Sequence, residues 1–550
     1  MLSSLAVCAS AAPAYAQDQK RESLAANSAA KGLPRIAFNE VLAVRSGQTS
    51  FRNSGTAPAS DAGDDAEQIG AIAITGAEAI GEERFQQVLE GFFGEPLTDE
   101  VLDRLTDELT QIAKDEGYPY VRTEVDRRAA AMGIINITID EGRIDAVQLE
   151  GSQNPLAQRI LNRLIGKPAS KSDLERALLL VSDIPSMRLR GAKLKREDIP
   201  GGKQNVLVVR VSERDNDYRI AADNYGSDSF GPVRARASAR IMDAFVAGDQ
   251  ISGAVRINPI EPDELVFVSG SYDTQVTEGG ARFSVSASVG RTSPGDVSNG
   301  ADLTGDTRRA SARLSVPVKR ARKASIWLDG GIGYVTIQQD DTGDLLRDDT
   351  IVTASAGLRT QFAVSGGRAR TGVTIERGLG ILDATRLGDP LASRRDGDGV
   401  FTKVRFNADL RVPLAKRVSL LMSAAGQIAD RPLLGPEEIA LGGAFRTRGY
   451  NFAEVLGDEG IYGLAELRYN VDTGDLPLRY LQLYGFIDGG YVSDIDATGT
   501  EGTLFSAGPG LRTRLGPLDL ELEGGFPLGG SGERTDDPDP QVNLRAGVNF

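Results

Sequence analysis

Residues 541–550, QVNLRAGVNF, decide the fold of the larger part of this chain. Apolar residues occupy every second position, and polar residues or glycine occupy the positions between them. Successive side chains of an extended strand point to opposite faces, so this strand has one apolar and one polar face. The apolar face holds Val542, Leu544, Ala546, Val548 and Phe550, and the polar face holds Asn543, Arg545, Gly547 and Asn549. A strand between lipid and a water-filled lumen has this pattern.

The same alternation recurs from about Tyr218 onwards, without a convincing helical pattern. We count about 16 candidate strands, and an even number returns both chain ends to one side of the membrane. A β-sandwich would also alternate, but the polar face of GPVRARASARI is highly charged for a sandwich surface. That face carries Arg234, Arg236 and Arg240. We therefore predict an all-β, antiparallel transmembrane barrel over residues 216–550.

An internal repeat precedes the barrel segment. Ile69, Ala71, Ile72, Ile74 and Gly76 recur as Ile144, Ala146, Val147, Leu149 and Gly151, always 75 positions later. Each unit reads as strand, helix, helix, strand, strand, with apolar residues at helical spacing in the middle and an alternating strand at its end. Two α+β domains are therefore expected, over 67–142 and 143–215. Plain structural spacers would have the same pattern.

The first 16 residues have the pattern of a secretory signal peptide, in which an apolar stretch leads to a small-x-small cleavage site at Ala14-Tyr15-Ala16. A lipoprotein signal at Cys8 is the weaker interpretation, because bulky Val7 stands where a small residue is wanted. Residues 17–66 are rich in Ala, Ser, Gly and Asp and are expected to form a flexible arm, either a plain linker or a plug. The protein is expected to be exported.

Composition excludes several classes of function. The chain has no His, one Cys and a formal net charge of −15. His-based triads, Cys nucleophiles and Cys/His zinc sites are therefore unavailable, and no motif indicates a Ser/Lys or carboxylate-only enzyme. The acidic balance argues against a nucleic-acid partner. We expect no enzymatic activity, no cofactor and no metal.

Two short motifs stand out within the barrel segment. LGGAFRTRGY, residues 441–450, lies in a long loop between predicted strands 11 and 12. An arginine there is costly to bury without a partner, so a loop that folds into the pore must anchor on its wall. In LQLYGFIDGGY, alternation turns Leu483 and Ile487 towards lipid and Phe486 and Asp488 towards the lumen.

Together these features resemble two-partner secretion transporters (TpsB; haemolysin activation/secretion proteins of the ShlB/FhaC/HecB type). The repeats resemble polypeptide-transport-associated (POTRA) domains. The resemblance implies that a loop tip, Arg448-Gly449-Tyr450, folds into the lumen and meets a wall motif, Phe486-x-Asp488-x-Gly490, with Asp488 paired to Arg448. Thr447 stands where the family often has Val. Phe550 would be the C-terminal signal read by the barrel-assembly machinery.

The resemblance also implies a location and partners. The barrel would lie in the outer-membrane bilayer of a Gram-negative bacterium, with the POTRA domains in the periplasm. These domains would bind one large exported β-helical adhesin or cytolysin, which the barrel would secrete without ATP. Three alternatives remain open: a barrel-assembly factor of the same superfamily, a passive porin and an outer-membrane hydrolase.

Overall fold

The computed structural model describes residues 68–126, 134–200, 202–226, 231–295, 303–444, 446–495, 501–530 and 539–550. The expected signal peptide, with Ala14 and Ala16 at its cleavage site, and the expected arm at 17–66 lie outside these residues. No helix among the described residues is long and apolar enough to cross a membrane.

The first repeat is a three-stranded sheet with helices packed against it. The strand order is β1-β3-β2, with β1 parallel and β2 antiparallel to the central β3. The longer helix begins at Thr98, whose hydroxyl accepts a hydrogen bond from the Val101 N–H, and it ends before Gly117 at φ 100°. Its apolar side packs on Ile135, Ile137 and Ile139 of the sheet. The elements are β1 (Ala71–Thr75), α1 (Gln86–Glu90), α2 (Asp99–Asp115), β2 (Arg122–Asp126) and β3 (Ile134–Asp140).

The second repeat has the same plan. Its strand order is β4-β6-β5, with β4 parallel and β5 antiparallel to the central β6. Asn154 and Ser170 cap its two helices through side-chain oxygens. Strands β2 and β5 therefore occupy corresponding edges of the two sheets. The elements are β4 (Ala146–Glu150), α3 (Pro155–Asn162), α4 (Lys171–Ser182), β5 (Met187–Ile199) and β6 (Gly202–Glu213).

The rest of the described chain forms a closed antiparallel barrel of 16 strands, which confirms the predicted fold. Two short strands, β18 (Ile439–Leu441) and β19 (Val455–Gly457), pair as a hairpin apart from the wall. The wall strands are β7 (Asp217–Asp223), β8 (Arg234–Met242), β9 (Gln250–Ile257), β10 (Leu265–Gln275), β11 (Arg282–Thr292), β12 (Leu303–Arg320), β13 (Ala324–Asp341), β14 (Asp344–Val364), β15 (Gly367–Gly378), β16 (Thr402–Pro413), β17 (Val418–Ala429), β20 (Glu459–Val471), β21 (Leu478–Ser493), β22 (Glu501–Leu515), β23 (Leu518–Gly530) and β24 (Gln541–Asn549).

Alternation sorts the wall residues into two faces. On β24 the side chains of Val542 and Leu544 are 64% and 51% exposed on the outside, whereas Asn543 between them is 7% exposed. On β8 the Arg234 guanidinium lies 2.9 Å from the Asp223 carboxylate on β7, so polar groups meet on the inner face. The outer face is thus apolar and the lumen is charged, as a membrane barrel requires.

The first and last strands close the barrel through a short seam. Strand β7 pairs with β24 over five residue pairs, from Arg219↔Asn549 to Asp223↔Arg545. The side chain of Asn224 then extends the seam, because its Nδ2 donates to the Val542 carbonyl (2.6 Å) and its Oδ1 accepts from the Leu544 N–H (2.7 Å). The Asn224 side chain thus makes two hydrogen bonds to the β24 backbone, as one further residue pair of the ladder would.

We call the end of the barrel at which β7 begins and β24 ends the proximal end, and the opposite end the distal end. Because neighbouring strands are antiparallel, every odd-numbered wall strand runs from proximal to distal. The eleventh wall strand is β17 and the twelfth is β20, so residues 430–458 join them at the distal end. This segment is the long loop of the following sections.

Candidate functional site

The long loop folds back into the barrel. Its apolar side chains pack against Val492 of β21 and Leu504 of β22, which lie on the inner faces of these strands. All members of this cluster are 7% exposed or less. The loop contributes Ile439, Leu441, Tyr450 and Val455. The loop is therefore packed on the inner wall over several strands.

The side chain of Arg448 lies at the centre of the site. Its Nε donates to Asp488 Oδ2 (2.8 Å), and its Nη1 donates to Glu466 Oε1 (2.9 Å) and Glu523 Oε2 (2.7 Å). Its guanidinium carbon lies 3.6 Å from the centre of the Phe486 ring, and the side chain is 4% exposed. Arg448 and Asp488 thus lie together, and the arginine joins the loop to β20, β21 and β23.

The carboxylates around Arg448 are themselves held by a wider network. Glu466 also binds the guanidiniums of Arg468 and Arg512, and the Tyr484 hydroxyl donates to Glu523 at 2.7 Å. The guanidinium of Arg512 lies 3.9 Å from the centre of the Tyr484 ring. Among the described residues of this network, the buried charged side chains include three cations, Arg448, Arg468 and Arg512, and four anions, Glu466, Asp488, Glu521 and Glu523. Shared charge-assisted bonds of this kind position groups in low-dielectric surroundings.

The two residues after Arg448 fit closely against β22 and β23. The Gly449 N–H donates to Ser506 Oγ at 3.0 Å, and a Cβ on Gly449 would lie 2.8 Å from the Pro527 backbone nitrogen. The Tyr450 hydroxyl donates to the Gly529 carbonyl at 2.7 Å. A side chain larger than hydrogen at 449 would force the tip away from the wall.

The remaining predicted wall residue, Gly490, makes room for the loop. A Cβ at Gly490 would lie 2.6 Å from the side chain of Leu441 on the long loop. Thr447 is fully buried, and its hydroxyl accepts a hydrogen bond from the Gly442 N–H at 2.7 Å. The polar atom that distinguishes threonine from valine therefore braces the loop's own turn.

The aromatic C-terminus lies away from this site. The Phe550 N–H donates to the Tyr218 carbonyl on β7 at 2.9 Å, which places it at the proximal end. Its side chain is 71% exposed. The ring is accessible, but it does not contact the loop residues.

A second ionic cluster ties the loops together at the distal end. Arg394, between β15 and β16, donates to Asp458 at 2.8 Å and also contacts Glu438 and Asp494. Burial raises the pKa of Glu438 to about 8, which the carboxylates of Asp458 and Asp494 reinforce and Arg394 opposes. The oxygens of these three acids lie within 4.8 Å of one another, a spacing that could hold a metal ion. Arg394 already provides a positive charge at that position.

The sequence predicted Arg448, its loop and Asp488, but it did not single out Glu466, Glu523 or Arg394. The sequence pattern did indicate that two of them, Glu523 and Glu466, face the lumen. Strand β23, LDLELEGGF, places carboxylates at every second residue, and Glu466 lies on the inner face of β20. Inward carboxylates close to the Asp488 strand could have been proposed as further partners of Arg448.

Known proteins resemble this chain over most of its length. It is 24% identical over 491 residues to the outer membrane transporter CdiB of Escherichia coli. The aligned region covers 84% of this chain and 79% of the relative. The solved structure of CdiB from Escherichia coli superposes with a TM-score of 0.76 at 20% identity, covering 97% of this chain and 98% of that one. CdiB from Acinetobacter baumannii gives 0.65 at 16% identity, covering 88% and 90%.

A family model described as haemolysin secretion/activation protein ShlB/FhaC/HecB matches residues 202–513. The match covers the last strand of the second repeat and most of the barrel, including both motifs of the loop site. Because it spans more than half of the chain, the protein belongs to the ShlB/FhaC/HecB family, whose members are outer-membrane transporters of two-partner secretion.

Proposed function

We propose that this protein binds one exported polypeptide in the periplasm and secretes it through its barrel, without ATP. The observation that carries the proposal is the loop anchored inside the barrel by Arg448. Two repeats precede the barrel in the sequence, and one edge strand of each has no further neighbour among the described strands. A passive pore would have no use for either feature. The passenger would be a large β-helical adhesin or cytolysin.

The proximal end faces the periplasm in this proposal, because the two repeats precede β7 in the chain. We assign residues 67–142 and 143–215 to POTRA domains and 216–550 to the barrel. An extended passenger segment pairs with a sheet edge of the second repeat, and backbone hydrogen bonds provide affinity for an unfolded chain. Phe550 at the same end presents the C-terminal strand to the barrel-assembly machinery.

The energy for transport comes from the passenger itself. Nucleotide is absent outside the inner membrane, so binding at the repeats and folding at the cell surface must drive the movement forward. The passenger enters the lumen, and the Arg448 contacts keep the long loop on the wall while the lumen widens. The family consists of transporters, and we propose that this chain catalyses no reaction.

Comparative secretome analysis of a deletion strain and its complemented parent tests this function. Loss of one large exported protein, with the outer-membrane proteome unchanged, is the expected result and would identify the passenger. Depletion of many barrel proteins at once would show an assembly factor instead. An unchanged secretome and proteome would refute transport and leave a passive porin.

A further inference from the structure

The corresponding edges of the two repeats differ in charge. Strand β5 carries five cationic residues and two carboxylates in 13 residues, whereas β2 carries one cationic residue and two carboxylates in five. The whole chain has a formal net charge of −15, so the positive charge of the β5 edge is opposite in sign to that of the protein as a whole. The cations of β5 are Arg188, Arg190, Lys193, Lys195 and Arg196.

The cations of β5 are available to a partner. All five side chains are exposed, and no ion pair joins any of them to a carboxylate in the described part of the chain. Arg190 makes one hydrogen bond, from its Nε to Ser212 Oγ at 2.8 Å. By contrast, Arg210 on the neighbouring β6 is paired with Glu150 at 2.9 Å. The charge of the β5 edge is therefore not neutralised within the repeat.

The edge also has the geometry to bind an extended peptide. Strand β5 pairs with β6 on one side, and among the described strands no neighbour lies on its other side. At about 3.3 Å per residue, 13 residues give an edge of roughly 40 Å. Lys193 and Lys195 lie two positions apart, opposite Val208 and Val206 of β6, so their side chains share one face of the sheet.

We propose that the β5 edge selects an acidic extended segment of the passenger, with carboxylates at alternate positions that face Lys193 and Lys195. The inference rests on the proposed secretion function and specifies its partner. Backbone pairing gives strand addition its affinity, and side chains on alternate positions give it specificity. Opposite charges placed across neighbouring strands stabilise such pairing, and like charges oppose it. Anionic lipid headgroups would match the charge but would leave the backbone edge unused.

The test uses the full-length protein in detergent and two labelled peptides of twelve residues, one alternating Thr and Glu and the other alternating Thr and Lys. Fluorescence anisotropy should detect binding of the acidic peptide, weakened by added salt, and no binding of the basic one. Lys193→Glu with Lys195→Glu should weaken binding about tenfold, since two attractive contacts become repulsive. Lys193→Gln with Lys195→Gln should give a smaller loss.

Reversal of two exposed cations on the helical side of the same repeat, Arg163→Glu with Lys167→Glu, is the matched control and should leave binding unchanged. Equal binding of both peptides, an unaffected β5 variant or an equally impaired control would overturn the inference. Displacement of the peptide by phosphatidylglycerol vesicles that themselves bind through Lys193 and Lys195 would assign the edge to lipid instead. Circular dichroism of each variant verifies folding.

Secretion in cells separates this inference from the function on which it rests. If deletion of the gene removes no exported protein, the proposed function fails. The other case is that deletion of the gene removes a passenger that the variant with Lys193→Glu and Lys195→Glu still secretes at the parental level. In that case the function stands and only the charge selection by β5 fails. The positive outcome is a charge swap: in the strain with Lys193→Glu and Lys195→Glu, replacing the passenger's carboxylates with lysine should restore secretion.

Discussion

Replacing Arg448 with alanine should weaken the attachment of the loop tip to the barrel wall. The arginine is 4% exposed and is the loop's charged contact with β20, β21 and β23. Its removal leaves three carboxylates on the wall without their shared cation. The loop tip then keeps its apolar packing and the hydrogen bonds of Gly449 and Tyr450, but loses its ionic anchor.

The expected cost follows from what each carboxylate retains. Glu466 keeps two other guanidiniums and Glu523 keeps the Tyr484 hydroxyl, whereas Asp488 keeps only uncharged donors. Removing one partner of a buried pair costs about 3–5 kcal/mol. Loop docking should therefore weaken by roughly a hundredfold or more. The loss of loop docking in Arg448→Lys should be smaller than the loss in Arg448→Ala, because lysine keeps the positive charge. Some loss is still expected, since an ammonium group cannot bridge three carboxylates as a guanidinium does.

Trypsin treatment of intact cells measures the weakened attachment. Arg446 provides a cleavage point beside the tip, and the docked loop should protect it, so cleavage should rise in Arg448→Ala. Passenger secretion should fall while heat-modifiable migration shows a normally assembled barrel. Arg431→Ala in the same loop is the control, since the Arg431 side chain is 42% exposed and an exposed cation of this kind contributes about 1 kcal/mol or less through its ion pairs. If the loop of Arg448→Ala stays protected from trypsin and secretion stays at the parental level, the proposed anchoring role of Arg448 is refuted.

Three further changes test other contacts of the site. Gly449→Ala should undock the tip, because its Cβ would lie 2.8 Å from a backbone nitrogen of β23; increased trypsin cleavage is expected, and unchanged protection would contradict the fit. Tyr450→Phe should weaken docking by about 1 kcal/mol through loss of the bond to Gly529, seen as slightly faster cleavage; a loss as large as that of Arg448→Ala would be inconsistent with one neutral hydrogen bond. Arg394→Gln should lower the temperature of barrel unfolding more at pH 8 than at pH 5, since protonation relieves the repulsion among the acids left behind; an equal loss at both values would argue against a charge effect.

Much of the architecture could be predicted because a barrel imposes a period of two. The alternation of β24 and of LQLYGFIDGGY fixed which residues face lipid, and with them the inward direction of Asp488. The repeats were visible as apolar residues recurring 75 positions apart. Neither inference needs to know which strands meet in space.

The rest of the site depends on strand stagger, which alternation leaves open. Many carboxylates face the lumen, among them Asp519 and Glu521, yet the guanidinium of Arg448 contacts Glu466 and Glu523. Which of these acids the loop reaches depends on the depth to which it folds back. The role of Thr447 was hidden for the same reason, because its hydroxyl braces a turn that forms only in the docked loop.

The seam between β7 and β24 has a consequence for assembly. Asn224 and Leu544 are joined by a hydrogen bond across 320 positions of sequence, whereas most neighbouring strands are joined by short turns. Closing a loop of that length costs about 2.5 kcal/mol more in chain entropy than closing one of about 20 residues. The hairpins should therefore form first and the seam last. Until it closes, β7 and β24 expose unpaired backbone edges, and the rate of closure sets how long a newly made chain can pair with the wrong neighbour.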